Sequence, residues 1–463
     1  MKKLIFFPIF AAVALLNACN SFSDSGVLFD GTDAGRWEAT GGEYIVEQGF
    51  LSLKGIDTKI VLKNARYRDF ELEMELRTVD GGKGFVAFHS DISLGKGYRI
   101  AVNNDRNDPV WWKMTGSLLS VRNLTKSSVR DGDWFKMAVR VEGQAVTVSI
   151  NGNPVVEYIE PAAPYRVTPN EGALLSDGTF GLASEGGEIQ FRHIAVRVIQ
   201  ADKATVQSQL TEAIDEQTDD IIRLHQEDFP VLDYHVHLKG GLTKDEAAQM
   251  SRKLGINYAV APNCGIGFPI TDDEGVLAFL DNMRSQPFIL AMQAEGREWV
   301  TTFSQAVRDE FDYVFTDALT FIDNKGRRTR LRIPDETWIE DEQKYMDLIV
   351  DRICEVLKEP ADVYVNPCFL PEPMNSQYDA FWTEERMNRF IDALAKSGEA
   401  LEINARYKIP NKAIIMKAKE AGVKFTFGTN NGLRDIGKLE YCIRMKKECG
   451  ISADNMYKPS IKI

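Results

Sequence analysis

The chain has 463 residues, of which 44% are hydrophobic and 27% are charged, and its formal net charge is −13. This length exceeds what one ordinary hydrophobic core supports, so we expect two domains of about 200 residues each. The composition is that of a folded protein and excludes a chain that is disordered throughout. The negative charge argues against nucleic acid as a partner, because phosphate backbones require a basic surface.

Residues 1–18 have the pattern of a bacterial export signal. Lys2 and Lys3 precede an apolar segment, residues 4–16, that is too short to span a bilayer comfortably. Leu16-Asn17-Ala18-Cys19 then resembles the lipobox of bacterial lipoproteins, which implies a lipid anchor on Cys19. Asn20 is similar to the pattern sorted to an outer membrane. We therefore expect a tether at 19–26 and a cell-envelope protein on the periplasmic or the surface face.

Residues 27–200 predict a β-sandwich. Phe70–Arg77 alternates strictly between apolar and charged residues, and 136–141, 145–150 and 189–198 follow the same pattern. Asn151-Gly152 is a tight-turn signal between two such segments. Residues 201–228 change to a charged, helical pattern and are predicted to form a connecting helix.

From residue 229 to residue 463, predicted strands alternate with amphipathic helices such as Glu342–Leu357 and Thr383–Lys396. The strand candidates are Val231–Leu238, Tyr258–Asn263, Phe288–Ala294, Tyr313–Leu319, Val363–Cys368, Leu401–Ala405 and Lys424–Gly428. Seven repeats of strand and helix predict a parallel α/β barrel with functional groups at the C-terminal ends of the strands. The five cysteines in this half are an odd number, which argues against a disulfide framework.

The motif Asp233-Tyr234-His235-Val236-His237 is the sharpest functional signal. Side chains two apart on a strand share a face, so Asp233, His235 and His237 are expected at the barrel mouth. Two imidazoles there form half of a site for zinc, manganese or iron. The alternative is a pair of structural histidines.

The same motif resembles the end of the first strand in the PHP family of metal-dependent phosphoesterases, and Gly296-Arg297-Glu298 resembles that family's Gly-x-Glu metal ligand. The resemblance covers about residues 230–450 and implies a distorted (β/α)7 barrel. The chain departs from the family at Cys264, Asn366 and 429–432, where the family has histidines. The ligand set that remains is His235, His237 and Glu298, with Cys264 as a fourth candidate, for one divalent metal.

Polar residues at other predicted strand ends suit an oxygen-rich ligand such as a sugar or a phosphate. They are Arg297, Asn366, Arg406 and Asn430. Hydrogen bonding within the barrel rim is the alternative for each. The arginines at 327, 328, 330 and 332 favour a solvated surface over a phosphate clamp.

Short motifs in the front half, beginning with Leu28-Phe29-Asp30-Gly31 and Gly35-Arg36-Trp37, resemble the concanavalin-like family of the 3-keto-disaccharide hydrolase domain. Further matching stretches are Asp69–Leu72, Met74–Arg77, Gly97-Tyr98, Thr115–Ser117, Asn151-Gly152 and Phe191–Ile194. The resemblance implies a jelly-roll fold and action on glycosides with a 3-keto sugar. Such chemistry needs one general base and a stabiliser for an enolate oxygen.

This half also departs from its family, because the polar Gly-Tyr-Glu-x-Gln strand reads Gly97-Tyr98-Arg99-Ile100-Ala101. Glu75 is the candidate acid or base, with an outward-facing solvated glutamate as the alternative. Trp111 and Trp112 are adjacent, so that one is expected in the core while the other offers a platform for a sugar ring. His89 is a further candidate base, with a structural role as its alternative.

We therefore predict an envelope hydrolase or lyase of glycosides, with Glu75 and His237 as catalytic residues. Its expected partners are a carbohydrate substrate and a membrane, with one divalent metal and no nucleotide cofactor. One alternative is a single-metal PHP-like hydrolase with a sugar-binding sandwich. The other is a glycan-binding lipoprotein without catalysis.

Overall fold

The front part of the chain is a sandwich of antiparallel strands. The computed structural model describes residues 22–462, so the predicted signal and Cys19 lie outside the described residues. The strands are β1 (Gly26–Phe29), β2 (Trp37–Gly41), β3 (Tyr44–Glu47), β4 (Phe50–Lys54), β5 (Thr58–Leu62), β6 (Phe70–Ser90), β7 (Tyr98–Asn103), β8 (Phe135–Glu142), β9 (Ala145–Ile150), β10 (Asn153–Ile159) and β11 (Thr179–Val198).

Two long strands, β6 and β11, belong to both layers of the sandwich. Strand β6 pairs with β8 through its first half and with β7 through its second half. Strand β11 pairs with β5 and then with β4 in the same way. One layer is therefore β10-β9-β8-β6-β11-β4-β3 and the other is β7-β6-β11-β5-β2. This is the predicted jelly-roll architecture.

The alternation in β6 has the predicted consequence. Leu72, Met74 and Leu76 are 0–2% exposed and lie in the core between the layers. Glu73 and Glu75 point to the outer face of the first layer. Burial of the apolar set of each strand against the facing layer supplies the main stabilisation of such a sandwich.

The connecting segment contains two short helices, α1 (Lys203–Glu212) and α2 (Asp220–Gln226), so the prediction of one continuous helix is wrong. Helix α1 ends at Glu212 because the side chain of Glu216 is buried against the sandwich. Its carboxylate accepts from the Tyr158 hydroxyl at 2.7 Å and from Arg166 Nη1 at 2.6 Å. A buried carboxylate requires such partners. The backbone therefore departs from helical geometry between α1 and α2, where it positions Glu216 for these contacts.

The back part is a nearly closed barrel of parallel strands with helices around it. Its elements are β12 (Leu232–Val236), α3 (Lys244–Leu254), β13 (Asn257–Val260), β14 (Asn263–Cys264), α4 (Asp273–Met283), β15 (Ile289–Ala294), α5 (Trp299–Thr302), α6 (Gln305–Arg308), β16 (Tyr313–Thr316), β17 (Thr320–Ile322), β18 (Arg328–Arg330), α7 (Glu342–Val356), β19 (Val363–Tyr364), α8 (Glu372–Asn375), α9 (Tyr378–Phe381), α10 (Glu384–Ser397), β20 (Ala400–Asn404), α11 (Lys412–Glu420), β21 (Phe425–Gly428) and α12 (Glu440–Cys449), with 3-10 turns at Pro334–Glu336 and Ala453–Asn455.

The strand order β12-β13-β15-β16-β19-β20-β21 is parallel throughout and contains the seven predicted strands, several of them shorter than expected. The β17–β18 hairpin was not predicted. It turns because Asp323 Oδ1 accepts from the backbone N–H groups of Lys325 and Arg327 at 2.9 and 2.8 Å. The hairpin follows β16 and brings the next residues, including Arg332, towards the mouth of the barrel.

The barrel closes where β21 ends beside β12. The N–H of Asn430 donates to the carbonyl of His235 at 2.9 Å. The fully buried Asp233 accepts from the N–H and the hydroxyl of Thr429 at 2.9 and 2.6 Å, and from the N–H of Gly437 at 3.1 Å. One carboxylate thus joins the first strand to the segment after the last strand.

The sandwich packs directly against the barrel. Trp111 and Trp112 are 6% and 7% exposed and belong to the hydrophobic cluster of the barrel. The Trp112 indole N–H donates to Asp228 Oδ1 at 3.0 Å, and Asn257 Nδ2 donates to the carbonyl of Asn123 at 2.9 Å. Both tryptophans are interface residues, so the prediction that one offers a platform for a sugar ring is wrong.

Cys264, Cys354, Cys368, Cys442 and Cys449 are all free thiols in the structure. Among residues 22–462, no helix has the length and apolar character needed to cross a membrane.

Replacement of Asp233 by alanine is expected to destabilise the barrel, because at least two buried donors of the closing segment lose their acceptor. The free energy of unfolding should fall by at least about 3 kcal/mol, as measured by denaturant unfolding. Asp392→Ala, on the exposed face of α10, is the matched control and should have little effect. Equal stability of the two variants would contradict the role of Asp233 in closure.

Candidate functional site

A cleft of about 410 Å³ lies on the outer face of the layer that contains β7. Polar side chains from three strands and two loops line it: Lys83 on β6, Arg99 and Asn103 on β7, Glu185 on β11, Asp108 and Lys113 on the loop after β7, and Asn170 on the loop after β10. The cleft therefore combines cations, carboxylates and amides on a rigid sheet, which is a common arrangement in sites that bind polar ligands.

Two carboxylates in the cleft differ in their surroundings. Asp108 accepts from Lys83 Nζ at 3.1 Å, from Asn103 Nδ2 at 3.0 Å and from the N–H of Val110 at 2.8 Å. Burial would raise the pKa of Asp108, but these bonds outweigh burial and lower it. Glu185 is exposed and has no hydrogen-bond or salt-bridge partner among the described residues. Glu185 is thus the carboxylate of the cleft that is free to act on a ligand.

The two positions at which the resemblance described above breaks down in the sandwich line the cleft. Arg99 and Ala101 are neighbours on one face of β7. The Arg99 guanidinium donates to the carbonyl of Leu94 at 2.6 Å and lies over the Phe85 ring at 4.8 Å. A cation with a backbone acceptor and an aromatic neighbour therefore lies on the cleft surface at this position.

Glu75 lies on the other layer and is not among the residues that line the cleft. Its carboxylate accepts from Arg192 Nε at 2.7 Å, and the guanidinium of Arg192 stacks on Trp134 at 4.2 Å. His89 is 2% exposed, its Nε2 lies 2.7 Å from the carbonyl of Arg68, and burial lowers its pKa to about 4. These contacts favour structural roles for both side chains.

In the barrel, His235 and His237 both lie at the mouth, with ring centres 5.1 Å apart. The Nδ1 of His235 lies 2.6 Å from Glu402 Oε1, and its Nε2 lies 3.3 Å from Gln293 Oε1. The Nδ1 of His237 lies 2.7 Å from the carbonyl of Ala261, so that nitrogen carries the proton. Burial lowers the pKa of His237 well below its usual value. The two nitrogens of His235, in contrast, face the oxygen acceptors of Glu402 and Gln293.

The predicted metal ligands are not assembled as one site. Glu298 is exposed, and its Oε2 accepts from the N–H of Arg297. Cys264 is buried, and burial raises the pKa of its thiol to about 12, which disfavours the thiolate that binds metals. Across residues 22–462, no three His, Cys, Asp or Glu side chains are arranged to hold a metal ion.

Glu295 is a further buried carboxylate at the mouth, and the sequence motifs did not indicate it. It follows directly after β15 and is 2% exposed. Its Oε1 accepts from Asn263 Nδ2 at 2.8 Å, whereas its Oε2 is buried without a hydrogen-bond partner among the described residues. Burial, with a contribution from the Asp317 carboxylate, raises the pKa of Glu295 to about 7. The predicted strand ended at Ala294, and its alternation would have indicated this residue.

The amides predicted to bind a ligand form a network within the barrel. Asn366 Oδ1 accepts from Asn430 Nδ2 at 2.7 Å and from Asn404 Nδ2 at 3.1 Å, while Asn366 Nδ2 donates to Asp317 Oδ2 at 2.7 Å. Asn366 and Asn430 are 2% and 4% exposed. Their amide groups fix the strand ends relative to one another.

The two predicted arginines have different positions. Arg297 donates to Glu359 at 3.0 Å, to the hydroxyl of Thr316 at 3.1 Å and to the carbonyl of Asp317 at 2.7 Å, which is a structural set of partners. Arg406 instead lines a second cavity of about 350 Å³ together with Asn430. Of the two guanidinium groups, that of Arg406 is accessible to a ligand.

Stability should depend on pH through Glu295. Its pKa is about 7 in the folded chain against 4.5 for an exposed glutamate, so the folded state binds the proton more tightly between these values. The melting temperature is therefore expected to fall as pH rises through this window, and Glu295→Gln should reduce the fall. Glu298→Gln, an exposed neighbour, should keep the wild-type profile. A Glu295→Gln profile that parallels the wild type would contradict the assignment.

Comparison with known proteins identifies the front domain. Residues 24–197 match the sequence model of the 3-keto-alpha-glucoside-1,2-lyase-like domain. No curated protein matches the chain.

A candidate glycosyl hydrolase from Parabacteroides distasonis is 18% identical over 38% of this chain and 94% of its own, with a TM-score of 0.35. The carbohydrate-binding module CBM66 from Bacillus subtilis is 16% identical over 38% of this chain and 99% of its own, with a TM-score of 0.28. These structural similarities are too low to bear on activity, whereas the family match confirms that residues 24–197 are a 3-keto-disaccharide hydrolase-like domain.

Proposed function

We propose that this protein is a lyase or hydrolase of glycosides that carry a 3-keto sugar, and that the sugar binds in the sandwich cleft. The observation that carries the proposal is the position of the cleft. It lies in the domain that matches the lyase-like family, and the departures from that family at Arg99 and Ala101 line it.

The reaction starts at the carbon beside the ketone. The ketone at C3 acidifies the hydrogen at C2, so that a general base removes this proton and the electron pair forms an enolate. The enolate then expels the glycosidic oxygen from C1, which takes up a proton and leaves as an alcohol. Addition of water to the resulting double bond gives net hydrolysis. The protein has to supply a base and positive charge near the enolate oxygen.

The cleft contains side chains for both tasks. Glu185 is the base in this proposal, because it is exposed and has no partner among the described residues. Lys83 and Arg99 supply positive charge at the same surface. Asp108 holds Lys83 in place at 3.1 Å and is less suited to be the base, because its pKa is lowered.

We further infer that the barrel is a divergent member of the PHP type. Seven parallel strands and the pair His235 and His237 at the end of the first strand support this inference. The metal-dependent chemistry of the PHP type is not part of the proposed reaction, since Glu298 and Cys264 do not join His235 and His237 in a ligand set.

Replacement of Glu185 by glutamine should lower kcat by about 100-fold or more while KM changes little, because the base is lost and the shape is kept. The assay is release of nitrophenol from p-nitrophenyl 3-keto-α-glucoside. Glu73→Gln, an exposed glutamate on the other layer, is the matched control and should retain full activity.

Full activity of Glu185→Gln would remove this residue from the mechanism. If the wild-type chain binds the sugar without any turnover, the protein is a glycan-binding protein, and the proposed activity is wrong.

We also propose that the chain is anchored in the cell envelope through a lipid on Cys19, on the basis of the motif at residues 16–19. Cys19→Ala should move the protein from the membrane fraction to the soluble fraction, as followed by immunoblotting. Cys354→Ala, which changes a partly buried thiol, should leave it in the membrane fraction. Membrane retention of the Cys19→Ala chain would contradict the anchor.

A further inference from the structure

The ends of the two long strands meet at one end of the sandwich. Strand β6 begins opposite the end of β11, at Phe70 and Val198, and it ends opposite the beginning of β11. A backbone bridge between Tyr67 and Gly178 joins the segments that precede the two strands. Strand β11 passes from one layer to the other at residues 185–187, so this bend lies at the opposite end. The open end of the sandwich, as we define it, consists of residues 22–27, 63–69, 90–97, 171–178 and 197–198.

Exposed apolar side chains are concentrated at the open end. Seven large apolar side chains are exposed among the described residues of the sandwich, and Ile45 on β3 and Ile56 in the turn after β4 are two of them. The other five all lie at the open end and are 37–68% exposed: Phe22, Val27, Ile92, Leu174 and Val198. Exposed apolar side chains that are grouped in this way mark an interaction surface.

Contacts between neighbouring segments hold the apolar side chains at this end. The Arg66 guanidinium lies over the Phe22 ring at 5.1 Å and forms an ion pair with Asp177. The N–H of Val198 donates to Ser25 Oγ at 2.8 Å. The first residues of the described chain are therefore fixed to the ends of both long strands.

The loops that contain Ile92 and Leu174 also form part of the cleft. The N–H of Gly97 donates to the carbonyl of Gly172 at 2.8 Å, which joins the two loops. Gly97 and Ala173 line the cleft. A partner that covers Ile92 and Leu174 would therefore lie beside the cleft.

The charges of the open end nearly cancel. Its segments contain cations and carboxylates in equal number, at Lys63, Arg66, Arg68, Lys96 and Arg197, and at Asp24, Asp69, Asp91, Glu171 and Asp177. Arg36, which donates to the carbonyl of Val27 at 2.9 Å, adds one positive charge. Apolar contact, more than attraction to a charged partner, is therefore what this surface offers.

The chain enters the sandwich at this same end. The N–H of Ser23 donates to the carbonyl of Arg66 at 2.8 Å, and the N–H of Arg66 donates to Ser23 Oγ at 2.9 Å. Cys19, the proposed position of the lipid, is four residues before Ser23. Four residues span at most about 14 Å. A lipid on Cys19 would therefore hold the open end against the bilayer.

We propose that the open end is a docking surface for a lipid bilayer, and that its exposed apolar side chains enter the boundary between headgroups and acyl chains. The inference rests on the proposed lipid anchor at Cys19. Apolar side chains gain free energy at this boundary because their surface is removed from water. Docking brings the sandwich cleft close to the membrane, so that glycosides displayed at the membrane surface reach it.

The test uses the lipidated full chain in phosphatidylcholine vesicles, with a bimane fluorophore on one introduced cysteine. Cys354→Ala serves as the background, because the other native thiols of the described residues are buried. Bimane on Ile92→Cys should shift its emission to shorter wavelength in vesicles. It should also lose intensity when the acyl chains carry bromine, which quenches by contact.

Ile56→Cys is the matched control and should show neither change. Ile56 is 78% exposed, and the N–H of the preceding Gly55 donates to the carbonyl of Gly187 at 2.9 Å. Gly187 lies at the bend of β11, about 30 Å along the strand from Val198.

A second variant tests the apolar contact itself. The double change Ile92→Asp and Leu174→Asp should reduce bromine quenching of bimane on Val27→Cys, because a carboxylate resists transfer out of water. Ile45→Asp is the control and should leave this quenching unchanged. Anionic phosphatidylglycerol in the vesicles should also change it little, since the charges of the open end nearly cancel.

Absence of quenching at Ile92→Cys in a chain that sediments with the vesicles would overturn the docking surface and leave the anchor in place. A wild-type chain without a lipid on Cys19, as measured by mass spectrometry, would overturn both proposals. Dimerisation of the Cys19→Ala chain in solution that is abolished by Ile92→Asp would assign the open end to a second copy and reject the bilayer.

Discussion

Closure of the barrel depends on the hydrogen bonds that the buried carboxylate of Asp233 accepts. It lies on the first strand and accepts hydrogen bonds from Thr429 and Gly437, which follow the last strand. Because this contact fixes the strand ends, it also fixes the positions of His235, His237 and Asn430 around the mouth. The polar network of the mouth therefore rests on a single buried acceptor.

The same principle joins the two halves of the chain. Glu216 is drawn from the connecting segment into the sandwich by Tyr158 and Arg166, and Trp112 is fixed to Asp228 at the start of the barrel. Buried polar groups with complete partners hold the elements in one arrangement. The cleft of the sandwich and the mouth of the barrel are thereby two separate places on a continuous scaffold.

Local patterns in the sequence predicted most of the architecture. The alternation in Phe70–Arg77 and the seven separated apolar segments of the barrel depend on side-chain periodicity, which a short window contains. The break at Glu216 and the burial of Trp111 and Trp112 depend on contacts with distant segments, which no local pattern contains. The folds were therefore predictable, and the helix break and the domain interface were not.

The functional residues were predicted less well, for a related reason. The resemblance to a metal-dependent family indicated Glu298, whereas Glu295, which directly follows strand β15, is the buried carboxylate. In the sandwich, Glu75 belongs to a matching motif but points to the outer face, while Glu185 reaches the cleft. Which of two nearby carboxylates enters a site depends on where a strand ends and on which layer it lies.

Proton NMR of p-nitrophenyl 3-keto-α-glucoside turnover in D₂O is the most direct test of the proposed chemistry. Nitrophenol release is expected to be accompanied by loss of the C2 proton of the sugar, because elimination begins at that carbon. Release of nitrophenol with the C2 proton fully retained would show direct hydrolysis at C1 and would contradict elimination.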